Sequence, residues 1–175
     1  KDEKIIGDNT DVFGFQKALK LTNFDISEKK AFILGAGGVA PSIIHALKSM
    51  GVSDIVVSNR TIERADILKK KYPFIKIIKW GDTPNADIVI NATSLGLRKG
   101  ENLKIDYGKI GSQKLFYDVI YNPEKTNFLL KAEKFKNQIE NGKMMFLYQA
   151  QLSFKIWHKI KPEIDNSVLK LLNND

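Results

Sequence analysis

The chain has 175 residues, of which 43% are hydrophobic and 27% charged, proportions typical of one globular domain. It contains no cysteine and no apolar run of the roughly 18 residues that a membrane span needs, which excludes disulfides, cysteine-ligated metals and a membrane helix. The net charge of +8 is compatible with nucleic-acid binding, but the lysines are scattered and match no basic–aromatic motif, so solvated surface and anionic small ligands explain it better.

The first predicted elements are a short strand at residues 4–6, the string Gly7-Asp8-Asn9-Thr10-Asp11 and a helix. The helix is indicated by apolar residues at helical spacing, namely Val12, Phe15, Ala18 and Leu19. Thr10 is the predicted N-cap, which places Asp11 in the first turn. By itself Asp11 is an ordinary helix-start carboxylate, but the surrounding string is more particular than a cap requires.

The most informative stretch is a glycine-rich turn between a predicted strand and a predicted helix. An apolar run at residues 31–34 leads into the pattern G-x-G-x-x-A at Gly35, Gly37 and Ala40. A helical pattern follows, and then a second apolar strand at residues 55–57. Gly35 allows the tight turn, Gly37 lets the backbone approach a pyrophosphate, and Ala40 lets the helix lie close to the sheet. The stretch therefore predicts a dinucleotide site with phosphates at a helix N-terminus.

The end of the second strand indicates which dinucleotide binds. An NAD site usually has Asp or Glu about 20 residues beyond the glycine turn, where it accepts hydrogen bonds from the ribose 2′-OH. Here that position is Asn59, followed by Arg60, Thr61 and Arg64. A guanidinium binds a 2′-phosphate bidentately, whereas a carboxylate repels it. The arginines could instead be solvated charges, but cations at a helix start oppose the helix dipole, so the sequence favours NADP(H).

The remaining elements alternate between strands and helices, the order that builds a parallel sheet. Strands are predicted at residues 74–78, 86–90, 115–121 and around Ile139; helices at 62–72, 126–135, 144–159 and 164–172; and a surface loop at 97–113. The predicted fold is α/β: a doubly wound, Rossmann-like, mostly parallel sheet of about six strands with helices on both faces. Small hydroxyl residues after residue 90 lie where such sheets bind ligands.

Other residues that often carry chemistry are interpreted as structural. His45 and His158 have no partners at ligand spacing, so no metal site is predicted. Trp80 and Trp157 are interpreted as packing residues, and residues 144–146 as core.

Four separated strings agree on one family. They are Gly7-Asp8-Asn9-Thr10-Asp11; the turn at residues 35–40 with Asn59-Arg60-Thr61 and Arg64; Asn91-Ala92-Thr93-Ser94-Leu95-Gly96; and Gly142, Met145 and Gln149-Ala150. A fifth piece, Tyr117-Asp118 with Tyr121-Asn122-Pro123 and Thr126, also fits. The sequence thus resembles shikimate dehydrogenase along nearly its whole length. The resemblance implies reduction of 3-dehydroshikimate to shikimate by hydride transfer from NADPH, a cytoplasmic step toward chorismate and the aromatic amino acids.

The resemblance also implies roles for individual residues. Asp11 would be the carboxylate of a catalytic Lys–Asp pair and would contact the substrate together with Tyr121 and Gln149. The pyrophosphate would lie against Gly35, Ala36, Gly37, Gly38 and Val39, and the 2′-phosphate against Asn59, Arg60, Thr61 and Arg64. Thr93, Val119 and Gly142 would lie along the nicotinamide half of the cofactor.

One departure from the family pattern concerns the catalytic lysine. In the family it lies in an N-terminal substrate domain, within a string like Asn-Val-Thr-x-Pro-x-Lys, and neither that string nor the Ser-x-Ser substrate loop occurs here. We therefore expect a cofactor-binding fragment that lacks about 100 residues and is inactive alone. The expected division is residues 1–20 for the end of the substrate-domain hairpin and the linking helix, 21–142 for the NADP-binding domain, and 143–175 for helices returning toward the substrate domain.

Two alternative functions stay open at this point. One is a quinate/shikimate dehydrogenase that uses NAD, which an acidic residue at position 59 would have favoured. The other is a non-catalytic NADP-binding paralogue, against which the presence of Asp11, Tyr121 and Gln149 argues. The expected partner is a small-molecule substrate, 3-dehydroshikimate or shikimate, with no nucleic acid or membrane. Monomer and homodimer are equally compatible with the sequence.

Overall fold

The computed structural model describes residues 5–172, in which six parallel strands form a single sheet. The strands are β1 (Lys30–Leu34), β2 (Asp54–Ser58), β3 (Lys76–Ile78), β4 (Ile88–Asn91), β5 (Leu115–Asp118) and β6 (Gln138–Glu140). Their order across the sheet is β3-β2-β1-β4-β5-β6, and each neighbouring pair is parallel. The predicted doubly wound, Rossmann-like fold is confirmed.

Seven helices within the described residues connect and cover these strands. They are α1 (Thr10–Leu21), α2 (Ala40–Ser49), α3 (Ile62–Lys71), α4 (Tyr107–Ile110), α5 (Asn127–Lys134), α6 (Lys143–His158) and α7 (Asn166–Leu171). Buried residues of α1, α2, α3 and α6 form one core cluster, and those of α4 and α5 form a second. The two clusters lie on opposite faces of the sheet. None of the helices between residues 5 and 172 is long and apolar enough to cross a membrane.

The strands are apolar throughout because both of their faces are covered. In β1, Ala31 and Ile33 belong to the cluster that includes α1 and α2, whereas Phe32 and Leu34 belong to the cluster that includes α4 and α5. None of these four residues is more than 1% exposed. An unbroken apolar run is the pattern expected of a parallel strand packed on both sides.

The N-terminal segment differs from the prediction. A strand is predicted at residues 4–6. Ile5 and Ile6 are exposed and not in a strand, and Lys4 lies outside the described residues. A strand needs a neighbour to satisfy its backbone groups, and none of the described strands pairs with this one. The N-cap of α1 is Asn9 rather than Thr10, because the Asn9 side-chain oxygen accepts hydrogen bonds from the backbone N–H groups of Asp11 and the next residue.

The loop predicted at residues 97–113 contains the short helix α4. Its residues Tyr107 and Ile110 are buried in the second core cluster, and the Asp106 side chain caps it by accepting a hydrogen bond of 3.0 Å from the backbone N–H of Lys109. A helix of one turn is too short for its periodicity to be recognised in the sequence. The prediction of an irregular surface loop is therefore wrong for this part of the segment.

Gly14 allows α1 and α6 to pack closely. A Cβ at this position would lie 2.6 Å from the backbone oxygen of Met145 and 3.0 Å from the Cβ of Gln149. At an exposed position inside a helix, replacing glycine with alanine adds roughly 1 kcal/mol of stability. Here we expect Gly14→Ala to lower the free energy of unfolding by about 1–3 kcal/mol, because the methyl group pushes two packed helices apart.

Urea denaturation measures this effect. Gly108→Ala is a suitable control, because a Cβ there would meet only side-chain atoms of Asp106 and Phe135, at 3.3 and 3.9 Å. If Gly14→Ala were as stable as the unsubstituted chain, the close contact between the two helices would be disproved.

Candidate functional site

The glycine turn lies at the point where the strand order reverses. β1 has β2 on one side and β4 on the other, and the carboxyl ends of these strands border an open crevice, the usual ligand position in a doubly wound sheet. Gly35, directly after β1, has a φ of +111°, and a Cβ there would lie 2.7 Å from the backbone oxygen of Ala92. Both the conformation and the space require glycine at this position.

The turn presents unpaired backbone donors at the start of α2. Among residues 5–172, no acceptor pairs with the backbone N–H groups of Gly37, Gly38 and Val39. No side chain caps α2, and Pro41 occupies its first turn. Free N–H groups and the positive end of a ten-residue helix favour an anionic group at this place.

Asn59 holds the glycine turn against the loop that follows β2. Its side-chain oxygen accepts a hydrogen bond of 3.0 Å from the backbone N–H of Ala36, and its side-chain nitrogen donates one of 2.7 Å to the carbonyl of Thr61. Both ends of the amide group are therefore engaged within the protein. The structure thus gives Asn59 a bridging position, and the positive charge at this edge comes from the arginines.

Arg60 and Arg64 border the same crevice with exposed side chains. Neither forms an ion pair in the part of the chain that the structure describes. We call this crevice, of about 320 Å³, the glycine-turn cleft; it is lined by Gly35, Ala36, Gly37, Asn59, Arg60, Thr61, Arg64, Trp80, Ala92, Thr93, Ser94 and Leu95. A free backbone N–H, that of Gly37, and the two arginine side chains thus border the same space.

A buried polar network holds the far wall of the glycine-turn cleft in place. The Asn91 side chain accepts hydrogen bonds from the backbone N–H and the hydroxyl of Thr93, at 3.0 and 2.7 Å, and donates to the carbonyl of Leu95 at 3.0 Å. It also donates a hydrogen bond of 2.9 Å to Asp118 at the end of β5. The Asp118 carboxylate accepts further hydrogen bonds from the Thr126 hydroxyl, at 2.6 Å, and from a backbone N–H. The ends of β4 and β5 are thereby joined.

The Asp118 carboxyl makes stability depend on pH. Burial raises its pKa from 3.8 to about 6, although hydrogen bonds to Thr126, the backbone and Asn91 act in the opposite direction. Between about pH 4 and pH 6, the folded state keeps a proton that the unfolded state has lost. The contribution of Asp118 to the free energy of unfolding should therefore fall by roughly 2–3 kcal/mol as the pH rises through this range.

Asp118→Asn removes this contribution and keeps the shape of the network. We expect the unfolding free energy of the unsubstituted chain to fall relative to that of Asp118→Asn as the pH rises through this range. Urea denaturation of both chains at each pH measures the difference. Asp66→Asn, on the exposed side of α3, controls for the lost charge. Parallel pH profiles for Asp118→Asn and the unsubstituted chain would show that folding does not raise the pKa of Asp118.

A second crevice lies between the start of α1, the end of β5 and the start of α6. We call it the Asp11 cleft; it has a volume of about 300 Å³ and is lined by Asp11, Val39, Val119, Tyr121, Gly142, Met145, Phe146 and Gln149. Gly142 is required here because a Cβ would overlap the backbone oxygen of Val119. The close approach brings α6 directly against the strand end.

Side chains in the Asp11 cleft are held by their neighbours. The ring of Tyr121 stacks on Phe146 with centroids 5.0 Å apart. The Thr10 hydroxyl donates a hydrogen bond of 3.3 Å to the side-chain oxygen of Gln149. Within residues 5–172, no hydrogen bond engages the Asp11 carboxylate or the Gln149 side-chain nitrogen, so an acceptor and a donor are left for a ligand.

The structure groups the residues predicted from the sequence into these two clefts. Gly35, Ala36, Gly37, Asn59, Arg60, Thr61, Arg64 and Thr93 line the first; Asp11, Val39, Val119, Tyr121, Gly142 and Gln149 line the second; Gly38 lines neither. The roles of all of these residues remain predictions. Sequence reasoning missed Trp80 and Phe146 as lining residues, and the only available indication for Trp80 was an aromatic residue two positions after a predicted strand. In the part of the chain that the structure describes, no group of His, Asp and Glu side chains could hold a metal ion.

Comparisons with known proteins identify relatives of the chain. The family model described as Shikimate / quinate 5-dehydrogenase matches residues 16–111, more than half of the chain. The shikimate dehydrogenase (NADP(+)) of Pelagibacter ubique (strain HTCC1062) is 54% identical over 173 residues, covering 99% of this chain and 65% of the relative. This chain thus spans just under two thirds of the length of that relative.

Solved structures show the same fold. The shikimate 5-dehydrogenase of Listeria monocytogenes, in complex with shikimate and NAD, superposes with a TM-score of 0.87 at 29% identity, over 98% of this chain and 65% of that one. The ligand-free 5-ketofructose reductase of Gluconobacter sp. strain CHM43 superposes with a TM-score of 0.86 at 30% identity, over 99% and 66%. The family model, the relatives and the fold agree, so the chain belongs to the shikimate/quinate 5-dehydrogenase family.

Proposed function

We propose that this chain is the NADP(H)-binding part of a shikimate dehydrogenase, which reduces 3-dehydroshikimate to shikimate in the cytoplasm. The observation that carries the proposal is the glycine-turn cleft, which is lined both by Gly37, whose backbone N–H is free at the start of α2, and by two arginines that form no ion pair within residues 5–172. The name of the Pelagibacter ubique relative, NADP(+)-dependent shikimate dehydrogenase, supports the same cofactor and substrate.

The residues of this cleft, together with the adjoining glycine turn, fit a phosphorylated dinucleotide. The N–H groups of Gly37, Gly38 and Val39 would hold the pyrophosphate, and Arg60 and Arg64 would hold the 2′-phosphate. Thr61 lies between the two arginines in the chain, and Asn59 positions the loop that carries them. When bound, the cofactor supplies a hydride to the substrate carbonyl carbon.

The Asp11 cleft fits the substrate side of this reaction. Shikimate carries hydroxyl groups. The Asp11 carboxylate would accept hydrogen bonds from these hydroxyl groups, and the side-chain N–H of Gln149 would donate a hydrogen bond to one of their oxygens. Tyr121 would close the cleft from the β5 side. The carbonyl oxygen of the substrate must gain a proton, and we expect the acid to be a lysine in the third of the family protein that this chain does not span. Asp11 beside that lysine would tune its pKa by its negative charge.

The two alternatives differ from this proposal in what they require of the two clefts. An NAD-dependent quinate/shikimate dehydrogenase is compatible with the NAD in the Listeria monocytogenes relative, but the end of β2 has no carboxylate for the ribose 2′-OH. A non-catalytic NADP-binding paralogue would retain the glycine-turn cleft without need of the groups in the Asp11 cleft.

The chain alone should bind NADPH without turning over substrate. At about 100 times its Kd, NADPH should stabilise the folded state by about 2.7 kcal/mol, which corresponds to a rise in Tm of roughly 5–10 °C for a domain of this size. Differential scanning fluorimetry measures the shift, with NADH at the same concentration as the control. NADPH absorbance should not fall when 3-dehydroshikimate is added.

Two results would contradict the proposal. If NADPH produced no thermal shift, the glycine-turn cleft would not be a cofactor site. If the chain alone consumed NADPH with 3-dehydroshikimate, the expected lysine elsewhere in the protein would be unnecessary.

A further inference from the structure

The glycine-turn cleft has an aromatic wall to which the roles above assign no function. Trp80 follows β3 and lines the cleft together with Arg60, Arg64 and Leu95. The indole is half-buried: part of it packs against the core cluster that includes α4 and α5, and part borders the cleft. It therefore offers a flat apolar surface next to two cations.

The neighbouring strand fixes the position of Trp80. In the β2–β3 pair, Ser58 lies opposite Ile78, and the buried Ser58 hydroxyl donates a hydrogen bond of 3.1 Å to the carbonyl of Lys79. Trp80 is two residues beyond Ile78, and Arg60 is two residues beyond Ser58. The indole and the guanidinium therefore follow adjacent strands at the same level, and both border the cleft.

The lining of the cleft is divided by chemistry. The backbone N–H groups of the glycine turn and the two arginines suit phosphate groups. Trp80, Ala92 and Leu95 provide an apolar part with no group that binds a phosphate. Of the parts of a dinucleotide, a planar base has the π surface that stacks on an indole.

We propose that the adenine of the dinucleotide stacks on Trp80, and that this residue raises affinity for adenine dinucleotides without selecting between NADPH and NADH. The inference rests on the proposed function, because it takes the ligand of the cleft to be a dinucleotide. Affinity for the base and selectivity for the 2′-phosphate then lie in different side chains, Trp80 and Arg60, at the ends of adjacent strands.

Calorimetric titration with both cofactors tests the proposal. Trp80→Ala should raise the Kd values of NADPH and NADH by the same factor, about five- to a hundredfold, and Trp80→Phe, which keeps a ring, should recover most of the affinity. Trp157→Phe is the matched control, because Trp157 is 75% exposed, lines neither cleft, and does not have the packing role predicted from the sequence. An unchanged affinity of Trp80→Ala, or a loss for NADPH alone, would overturn the inference.

Fluorescence gives a second readout that does not depend on the alanine variant being folded. In the Trp157→Phe chain, Trp80 is the single tryptophan, since the sequence has two. Adenosine 2′,5′-bisphosphate, which carries the base and the 2′-phosphate without nicotinamide, should quench its emission on binding. The Trp80→Phe chain, which keeps Trp157, should show no change.

The outcomes separate this inference from the proposed function. If adenosine 2′,5′-bisphosphate binds by calorimetry but leaves Trp80 emission unchanged, the stacking role is disproved and the cofactor site stands. If the unsubstituted chain binds neither this ligand nor NADPH, the proposed function fails, and the inference fails with it.

Discussion

Asp11→Asn in the full-length protein should lower kcat/KM for 3-dehydroshikimate by about a hundredfold or more, the usual effect of losing a positioned acid–base group. Asparagine has the size of aspartate but lacks the charge that would act on the neighbouring lysine. The fold should tolerate the change, because Asn9 caps α1 and the Asp11 carboxylate takes no part in the cap. Steady-state kinetics with both substrates measures the loss.

NADPH affinity is the internal control for this variant. Asp11 lies in the second cleft and not among the residues of the glycine-turn cleft, so the Kd of NADPH should stay within about twofold. Asp66→Asn, exposed on α3, should leave kcat/KM unchanged. Near-normal turnover by Asp11→Asn would reduce Asp11 to an ordinary residue of a first helical turn.

Arg60→Ala should weaken NADPH binding by about 1.5–3 kcal/mol, which is roughly a ten- to a hundredfold increase in Kd. The reason is that the Arg60 guanidinium, which forms no ion pair with any residue between 5 and 172, is free to form charge-assisted hydrogen bonds with the 2′-phosphate. NADH lacks this phosphate, so its affinity should barely change. Isothermal titration of the chain with each cofactor measures both constants.

Lys70→Ala provides the matched control for Arg60→Ala. It removes the same charge from an exposed position in α3, outside the glycine-turn cleft. It should therefore affect the two cofactors equally and slightly, through the overall charge alone. Equal losses of NADPH and NADH affinity in Arg60→Ala would mean that the arginine supports the fold of the loop rather than the choice of cofactor.

Local patterns were sufficient to predict the six strands of the sheet, most helices and the glycine turn. An apolar run of four or five residues covered on both faces, a turn that needs glycine and a helix with one buried stripe each leave a mark within about 20 residues of sequence. Asn59, Arg60 and Arg64 were recognisable for the same reason, since the first two follow β2 directly and Arg64 lies in the first turn of α3. The α4 helix was missed because a single turn is too short to show a helical period, and Asn9 was missed as the cap because its neighbour Thr10 is also of a favoured capping type.

Contacts between distant residues were decided by the tertiary structure alone. Asn91 and Asp118 are 27 positions apart, and Thr10 and Gln149 are 139 apart, yet each pair is joined by a hydrogen bond. Trp80 borders the glycine-turn cleft because the register of β2 and β3 places it level with Arg60. Strand order, register and the close packing of α1 on α6 depend on the free energy of the whole fold, which no short stretch of sequence encodes. The sequence by itself therefore determined the six strands of the sheet, most of the helices and the place of the glycine turn, whereas the tertiary structure decided which side chains share each cleft.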